Sequence, residues 1–261
     1  MTTVTTKKKL AVLGNGFLAG IIVEAYNKGL LEEYELTGIL GRTKEKTEAL
    51  AEKGGCRPCS TLEELLEDKP DYVAEAASVK AVQDYGMKIL SGGADMILLS
   101  IGALADETFY REISECAKEN GRKIHIASGA IGGFEVLRTI SLMGQAQTSF
   151  RTKKGPKSLS GTPLFEESLM TDKEEKQVFH GSAKEAISIL PTKVNVAIAA
   201  SLASSGLENV DVSIFSVPEM VGDDHKITVQ IPGVKAELDI YSSTSAIAGW
   251  SVVAVLRNLV S

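Results

Sequence analysis

Hydrophobic and polar positions along this chain change their period about halfway. In the first half, short apolar runs alternate with longer segments of helical spacing. The run "KKLAVLG" (8–14) ends in glycine, and "FLAGIIVEAYNKGLL" (17–31) then repeats its apolar residues every three to four positions. "YELTGILG" (34–41) predicts a second strand. "TKEKTEALAEKGG" (43–55) predicts an amphipathic helix with Thr43 at its N-cap and glycine at its C-cap. "STLEELLED" (60–68) has the Ser60-to-Glu63 spacing of a capping box. "PDYVAEAAS", "ADMILLSIGA" and "RKIHIASGA" predict three more strands, separated by helices at "VKAVQDYGMKILSGG" and "DETFYREISECAKENG". Strands spaced by helices of this length imply right-handed crossovers and a doubly wound parallel sheet.

After about Gly133 the period changes. "GFEVLRTISLMGQ" is helical, "AQTSFRTKKGPKSL" reads as a strand entering a basic loop, and helices are predicted at "GSAKEAISILP" and "TKVNVAIAASLASSG". "NVDVSIFSVPE", "HKITVQIPG" and "VKAELDIYSS" alternate with period two, the mark of a sheet with one wet face. The closing helix, "TSAIAGWSVVAVLRNLV", is too apolar to stand alone. The expected fold class is α/β. Residues 1–127 plus 242–261 form a nucleotide-type domain, and residues 128–241 form a smaller α+β domain on an open mixed or antiparallel sheet.

Composition narrows the possible functions. The 261 residues are 44% hydrophobic and 24% charged, ordinary for a globular enzyme. A formal net charge of −6 argues against general nucleic-acid binding, which needs a basic surface. No apolar stretch reaches transmembrane length, and "MTTVTTKKKL" lacks the apolar core of a signal peptide. With three cysteines and no disulfide framework, the expected address is the cytoplasm. "CRPC" (Cys56 to Cys59) has no second pair and no nearby histidine, and Cys116 sits at helical spacing, so no metal is expected.

"LAVLGNGFLAG" supplies the first specific chemistry. Gly14-x-Gly16-x-x-Ala19 follows a strand and opens a helix, which is the Rossmann fingerprint. Gly14 permits the turn, Gly16 lets a pyrophosphate approach, and Ala19 allows helix–strand packing. Asn15, Phe17 and Leu18 complete the turn and the helix start, whose free N–H groups suit phosphate. Where an NAD site usually carries an acidic residue, this chain has Gly41, Arg42, Thr43 and Lys44. A guanidinium beside a hydroxyl suits a 2′-phosphate, so NADP is favoured over NAD, with dual use open. Ala77 and Ser78, after a later strand, are further cofactor contacts.

Several stretches then occur in a recognisable order: "AEAASVKAVQDYG", "ILLSIGALAD", "IHIASGAIGGFEVL", "FHGSAKEAISILPTKVNVAIAASLA" and "PEMVGDDHKITVQ". The chain resembles the L-aspartate dehydrogenase family along nearly its whole length, most specifically in "SGAIGG" and "GSAKEA…P…VNVA". The resemblance implies a C-terminal domain like that of dihydrodipicolinate reductase and a homodimer. It implies oxidation of L-aspartate with NAD(P) to iminoaspartate, which yields oxaloacetate and ammonia or feeds NAD biosynthesis. It carries cofactor contacts onto Ala130 and Asn195 and an active-site histidine onto His225. Two departures stand out. Asp223 and Lys226 flank the histidine where the family usually has Asn and an acidic residue, and "YSSTSAIAG" is shorter than the usual segment before the last helix.

Amino-acid oxidation needs a base and cations for carboxylates. An imidazole, with an ordinary pKa of about 6.5, is a natural base near neutrality. Of three histidines, His225 opens a strand after a Pro/Gly loop, His125 lies within a strand, and His180 precedes a helix. Lys153, Lys154, Ser182, Lys184 and the backbone at Gly132 and Gly133 are candidates for the substrate anions. Asn195, on an otherwise apolar helix, must find polar partners if buried. Two other readings stay open: the same scaffold acting on another amino acid or an imine, and a non-catalytic dinucleotide sensor.

Overall fold

Alternating apolar strands and amphipathic helices in the first 127 residues build one sheet with helices between its strands. The computed structural model describes residues 6–190 and 194–260. Two compact units emerge, residues 1–127 with 246–261 and residues 128–245.

The first unit runs β1 (Lys8–Leu13), α1 (Phe17–Asn27), β2 (Tyr34–Leu40), α2 (Lys44–Gly54), β3 (Arg57–Cys59), α3 (Leu62–Glu67), β4 (Tyr72–Glu75), α4 (Val79–Ser91), β5 (Asp95–Leu98), α5 (Glu107–Glu119) and β6 (Ile124–Ile126). The six strands pair in parallel in the order β3-β2-β1-β4-β5-β6. Strand order therefore reverses between β1 and β4, and ligands of such sheets bind outside the carboxyl ends at that point. Leu10, Val12, Ile39, Ala74 and Ile97 are fully buried in the core around these strands. The helix α10 (Ala246–Asn258) packs on α1. Gly249 makes room for this, since a Cβ there would fall 2.8 Å from Ile21 Cδ1. Tyr34 Oη donates to the Leu256 carbonyl at 2.6 Å.

The second unit holds α6 (Phe134–Met143), β7 (Gln147–Lys154), the short α7 (Pro156–Leu159), β8 (Lys176–Ser182), α8 (Ala183–Ile189), α9 (Asn195–Leu202), β9 (Val210–Ser216), β10 (Asp223–Ile231) and β11 (Val234–Ser242). Its sheet order is β11-β10-β7-β9-β8, antiparallel except for the parallel pair β7–β9. The face carrying Phe150, Val212, Ile214, Ile227 and Val229 is buried. The other face is polar, with Lys226 paired to Glu237 at 3.0 Å and Arg151 lying 4.5 Å from the Phe215 ring centre.

One local expectation is corrected and two are sharpened. The helix α3 is capped by Thr61, not Ser60: Thr61 Oγ1 accepts from Glu64 N at 3.2 Å, and the Glu64 carboxylate accepts from Ser60 N at 2.7 Å. The one-residue shift follows from β3, which runs up to Ser60 and leaves Leu62 and Leu65 to face the core. Cys59 lies on that strand, whose Pro58 is tolerated at a sheet edge. His180 lies within β8, an edge strand that runs directly into α8. Thr43 does occupy the N-cap of α2, but its side chain makes no capping bond.

Candidate functional site

In the first unit the loops after β1 and β4 meet at the switch point. Gly14 has φ +130, and a Cβ on it would collide with the Ala76 carbonyl. Gly16, by contrast, has ordinary extended φ and open space where its Cβ would be. It starts α1, whose first turn has no side-chain cap, leaving the N–H groups of Phe17 and Leu18 for an anion. Asn15 closes the turn from the side: its Nδ2 donates to the Thr43 carbonyl at 2.8 Å and to Thr47 Oγ1 at 2.9 Å. Gly41 lies against this amide, with no room there for a side chain. Arg42 is exposed and engages no acidic side chain among the described residues. These features fit a dinucleotide: a glycine cradle with free space, uncapped helix N–H groups, and an uncommitted cation where an adenosine ribose would lie.

Ala77 and Ser78 stand on the neighbouring loop. Ser78 Oγ accepts from Ala81 N and caps α4. Ala77 N donates to Glu75 Oε1 at 2.8 Å. Glu75, at the end of β4, is completely buried and also accepts from Leu99 N, Ser100 N and Ser100 Oγ. Burial pushes its carboxyl pKa up, and the four donors act against that push. One carboxylate thus ties the loop after β4 to the loop after β5. In the sequence, the one signal that marks Glu75 is a carboxylate closing an apolar strand.

In the second unit His225 faces the buried side of the sheet and is 4% exposed. Antiparallel pairing of β10 with β7 puts His225 opposite Thr152 and Asp223 opposite Lys154. Thr152 Oγ1 lies 2.9 Å from His225 Nδ1, and the Phe150 ring centre lies 5.6 Å from the imidazole. Lys154, 7% exposed, donates to Asp223 Oδ1 at 2.7 Å. Burial, and then the Lys154 charge, push the His225 pKa down to about 4, with Asp223 pulling the other way. The imidazole is therefore neutral and able to accept a proton.

This shift carries a stability prediction. In the unfolded chain the imidazole titrates near its ordinary value of about 6.5. Above that pH neither state is protonated, and His225 contributes no pH dependence. As pH falls from about 6.5 to about 4, the unfolded chain binds a proton that the folded chain refuses, so stability drops by about 3 kcal/mol. Urea midpoints at pH 7 and 4.5 are expected to separate more in wild type than in His225→Gln.

Ala130 and Gly132 lie in the loop ahead of α6. Gly133 starts that helix at φ +72, where a side chain would run into Leu238. Asn195 opens α9, and its buried Oδ1 has no hydrogen-bond partner among the described residues. That orphaned acceptor fits a ligand amide.

Ser182 and Lys184 are not brought to His225. Ser182 caps α8 in a capping box with Glu185, and Lys184 pairs with Glu208 at 2.5 Å. The register runs from His225 on β10 across β7 and β9 to Ser182 on β8. At about 4.8 Å per strand and 3.3 Å per residue, the two lie roughly 17 Å apart, too far to share one amino acid. Their expected substrate role is corrected on that distance. Lys153 projects to the opposite face, where it pairs with Glu175 at 2.6 Å. His180 is exposed beside Asp211, and His125 bonds Asp95 within the first unit. Burial pushes the Cys56 thiol up to about 11 and raises Cys59 as well, so neither is a ready nucleophile. Among the described residues, no group of three or more His, Cys, Asp or Glu is placed to hold a metal ion. No helix among them is long and apolar enough to cross a membrane.

A doubly wound sheet with a glycine turn at its switch point places the chain among the dinucleotide-binding folds. Similarity to known proteins narrows that class. Residues 14–127 match the NAD-binding domain of homoserine dehydrogenase, and residues 135–259 match the C-terminal domain of aspartate dehydrogenase. An L-aspartate dehydrogenase of Methanococcus maripaludis is 35% identical, with 96% of each chain covered. One from Methanosarcina barkeri is 32% identical, with 97% of each covered. The solved aspartate dehydrogenase of Thermotoga maritima superposes with a TM-score of 0.75 at 26% identity, covering 97% of each chain. The chain belongs to the L-aspartate dehydrogenase family.

Proposed function

We propose that this chain oxidises L-aspartate with a nicotinamide dinucleotide, consuming water and releasing oxaloacetate and ammonia. The observation that carries the reading is a neutral, buried His225 sharing one face of the second unit's sheet with the Lys154 ammonium. A proton acceptor and a carboxylate-seeking cation are what an α-amino acid substrate requires. Relatives with this printed activity along the full chain support the same reading.

A dinucleotide would supply the hydride acceptor. Gly14, Gly16 and the first turn of α1 would hold its pyrophosphate, with Ala77 and Ser78 as further contacts from the first unit. In the second unit, Ala130 and Asn195 are the contacts the resemblance implies, and the orphaned Asn195 Oδ1 would suit a ligand amide. His225 takes the proton from the substrate ammonium, so that the nitrogen lone pair can form the C=N bond as hydride leaves the α-carbon. For this, Nδ1–H donates to Thr152 Oγ1 and Nε2 keeps its lone pair. The same Nε2 then relays protons when water adds to the imine. The peptide groups at Gly132 and Gly133 complete the substrate contacts.

NADP is the proposed cofactor of preference. Its support is Arg42, exposed and paired with no acidic side chain among the described residues, beside Thr43, whose hydroxyl is not used as a cap. Arg42→Ala is expected to raise KM for NADP by about tenfold and leave KM for NAD within twofold. Wild-type turnover with NAD alone would contradict the preference. The homodimer implied by the resemblance belongs to the same proposal, and light scattering is expected to give twice the mass of one chain.

A panel of L-amino acids with both cofactors, followed by the absorbance of reduced nicotinamide, tests the substrate. Aspartate is expected to exceed glutamate, alanine and asparagine. Faster turnover of any of these would move the assignment to another amino acid, and cofactor binding with no turnover would make the chain a sensor.

A further inference from the structure

We infer that Asp223 is an internal competitor for the substrate: its carboxylate occupies Lys154 in the free protein and must give way to a substrate carboxylate. This rests on the proposed reading of the His225 face.

Lys154 is 7% exposed, and a buried ammonium without an anion is costly. Among the described residues its one ion-pair partner is Asp223, at 2.7 Å. The partners are unequal. The Lys154 side chain keeps 9% of its exposure, whereas Asp223 keeps 37%. Asp223 can therefore turn into water and regain hydration, but the lysine head cannot leave. Lys154 is thus a fixed cation whose anion is exchangeable.

Position makes the exchange relevant to chemistry. Asp223 and Lys154 are cross-strand partners, two residues from the His225–Thr152 pair on the same strands and the same face. Two residues along a strand span roughly 6.6 Å, close to the distance between the ends of a four-carbon dicarboxylate. A carboxylate on Lys154 would leave the rest of such a molecule within reach of His225. The substrate anion takes the lysine while Asp223 remains nearby as a second negative charge. That raises the basicity of the imidazole when a proton must be accepted. The charged groups acting on His225 are Lys154 from β7 and Asp223 from its own strand; its neighbour on β11 is Ile240.

Asp223→Asn keeps an oxygen for the Lys154 hydrogen bond and removes the competing charge. The probe is succinate, a dicarboxylate without an amino group, titrated calorimetrically into wild type, Asp223→Asn and Lys154→Met with the oxidised cofactor present. Succinate is expected to bind Asp223→Asn about five- to tenfold more tightly than wild type, and Lys154→Met at least tenfold more weakly. KM for aspartate follows the same order. The acid limb of log kcat/KM moves to lower pH in Asp223→Asn, because the charge supporting His225 protonation is gone. A purely structural Asp223 would lower Tm and leave the succinate affinity and the acid limb in place. Unchanged or weaker succinate binding in Asp223→Asn, or no binding to any of the three proteins, overturns the inference. Because binding is read without turnover, a wild type that bound succinate in the expected order but did not oxidise aspartate would sink the proposed activity and leave the exchange standing.

Discussion

His225→Gln is expected to lower kcat for aspartate oxidation by about 10²- to 10⁴-fold while leaving the cofactor dissociation constant within twofold. The magnitude is the usual contribution of a positioned general base. Glutamine can accept a hydrogen bond from the substrate nitrogen but cannot take its proton. The variant is also a fair structural substitute. Its side-chain amide can still meet Thr152 Oγ1, and its volume is close enough to imidazole to avoid a large void beside Phe150. Cofactor binding is expected to survive because the glycine turn and the α1 N-terminus belong to the first unit. Stopped-flow reduction of the cofactor with saturating aspartate isolates the chemical step. A variant within tenfold of wild type would remove His225 from the role of base.

The second large effect separates the two glycines of the nucleotide turn. Gly14→Ala is expected to cost about 3 kcal/mol of stability even without ligand. Its φ of +130 disfavours a side chain, and the new Cβ would strike the Ala76 carbonyl. Gly16→Ala has neither problem, since φ is −90 and nothing lies within 4 Å of a Cβ there. Its melting temperature is expected to match wild type, while the cofactor dissociation constant rises about tenfold to a hundredfold, the cost of a methyl group in a phosphate cradle. The contrast matters because glycine-rich turns also serve packing alone. If Gly16→Ala binds cofactor as well as wild type, the open space above it is not where the pyrophosphate lies.

What could be read from the sequence follows from how local each feature is. The glycine turn was legible because each of its residues answers to a local steric demand, and the parallel sheet because strand and helix periods alternate cleanly. The strand β8 was missed because "KQVFHGS" neither alternates nor runs apolar, and its place is set by pairing with β9. Pro58 and a length of three residues hid β3. The capping box of α3 was read one residue early because Ser60 and Thr61 both satisfy the pattern. Only the end of β3 decides between them.

The site divides the same way. Asn195 stands out as a polar residue on an otherwise apolar helix, and His225 as one of three histidines, at the start of a strand after a Pro/Gly loop. Their environment does not, because it depends on register between distant strands: Thr152 is 73 residues from His225, and Lys154 is 69 from Asp223. "RTKKGPK" reads as a basic loop, yet the sheet sends Lys153 to the wet face and buries Lys154 beside the histidine. Ser182 and Lys184 are candidates for the substrate anions by residue type alone. In space the sheet carries them to its far edge.

The most direct test of the central claim is stoichiometric. Purified protein is mixed with L-aspartate and oxidised cofactor, and ammonia is measured against reduced nicotinamide in wild type and His225→Gln. One ammonia per reduced cofactor in wild type, with both products lost together in the variant, is the expected result. Reduced cofactor without ammonia, or the same yield and rate in the variant, would contradict it.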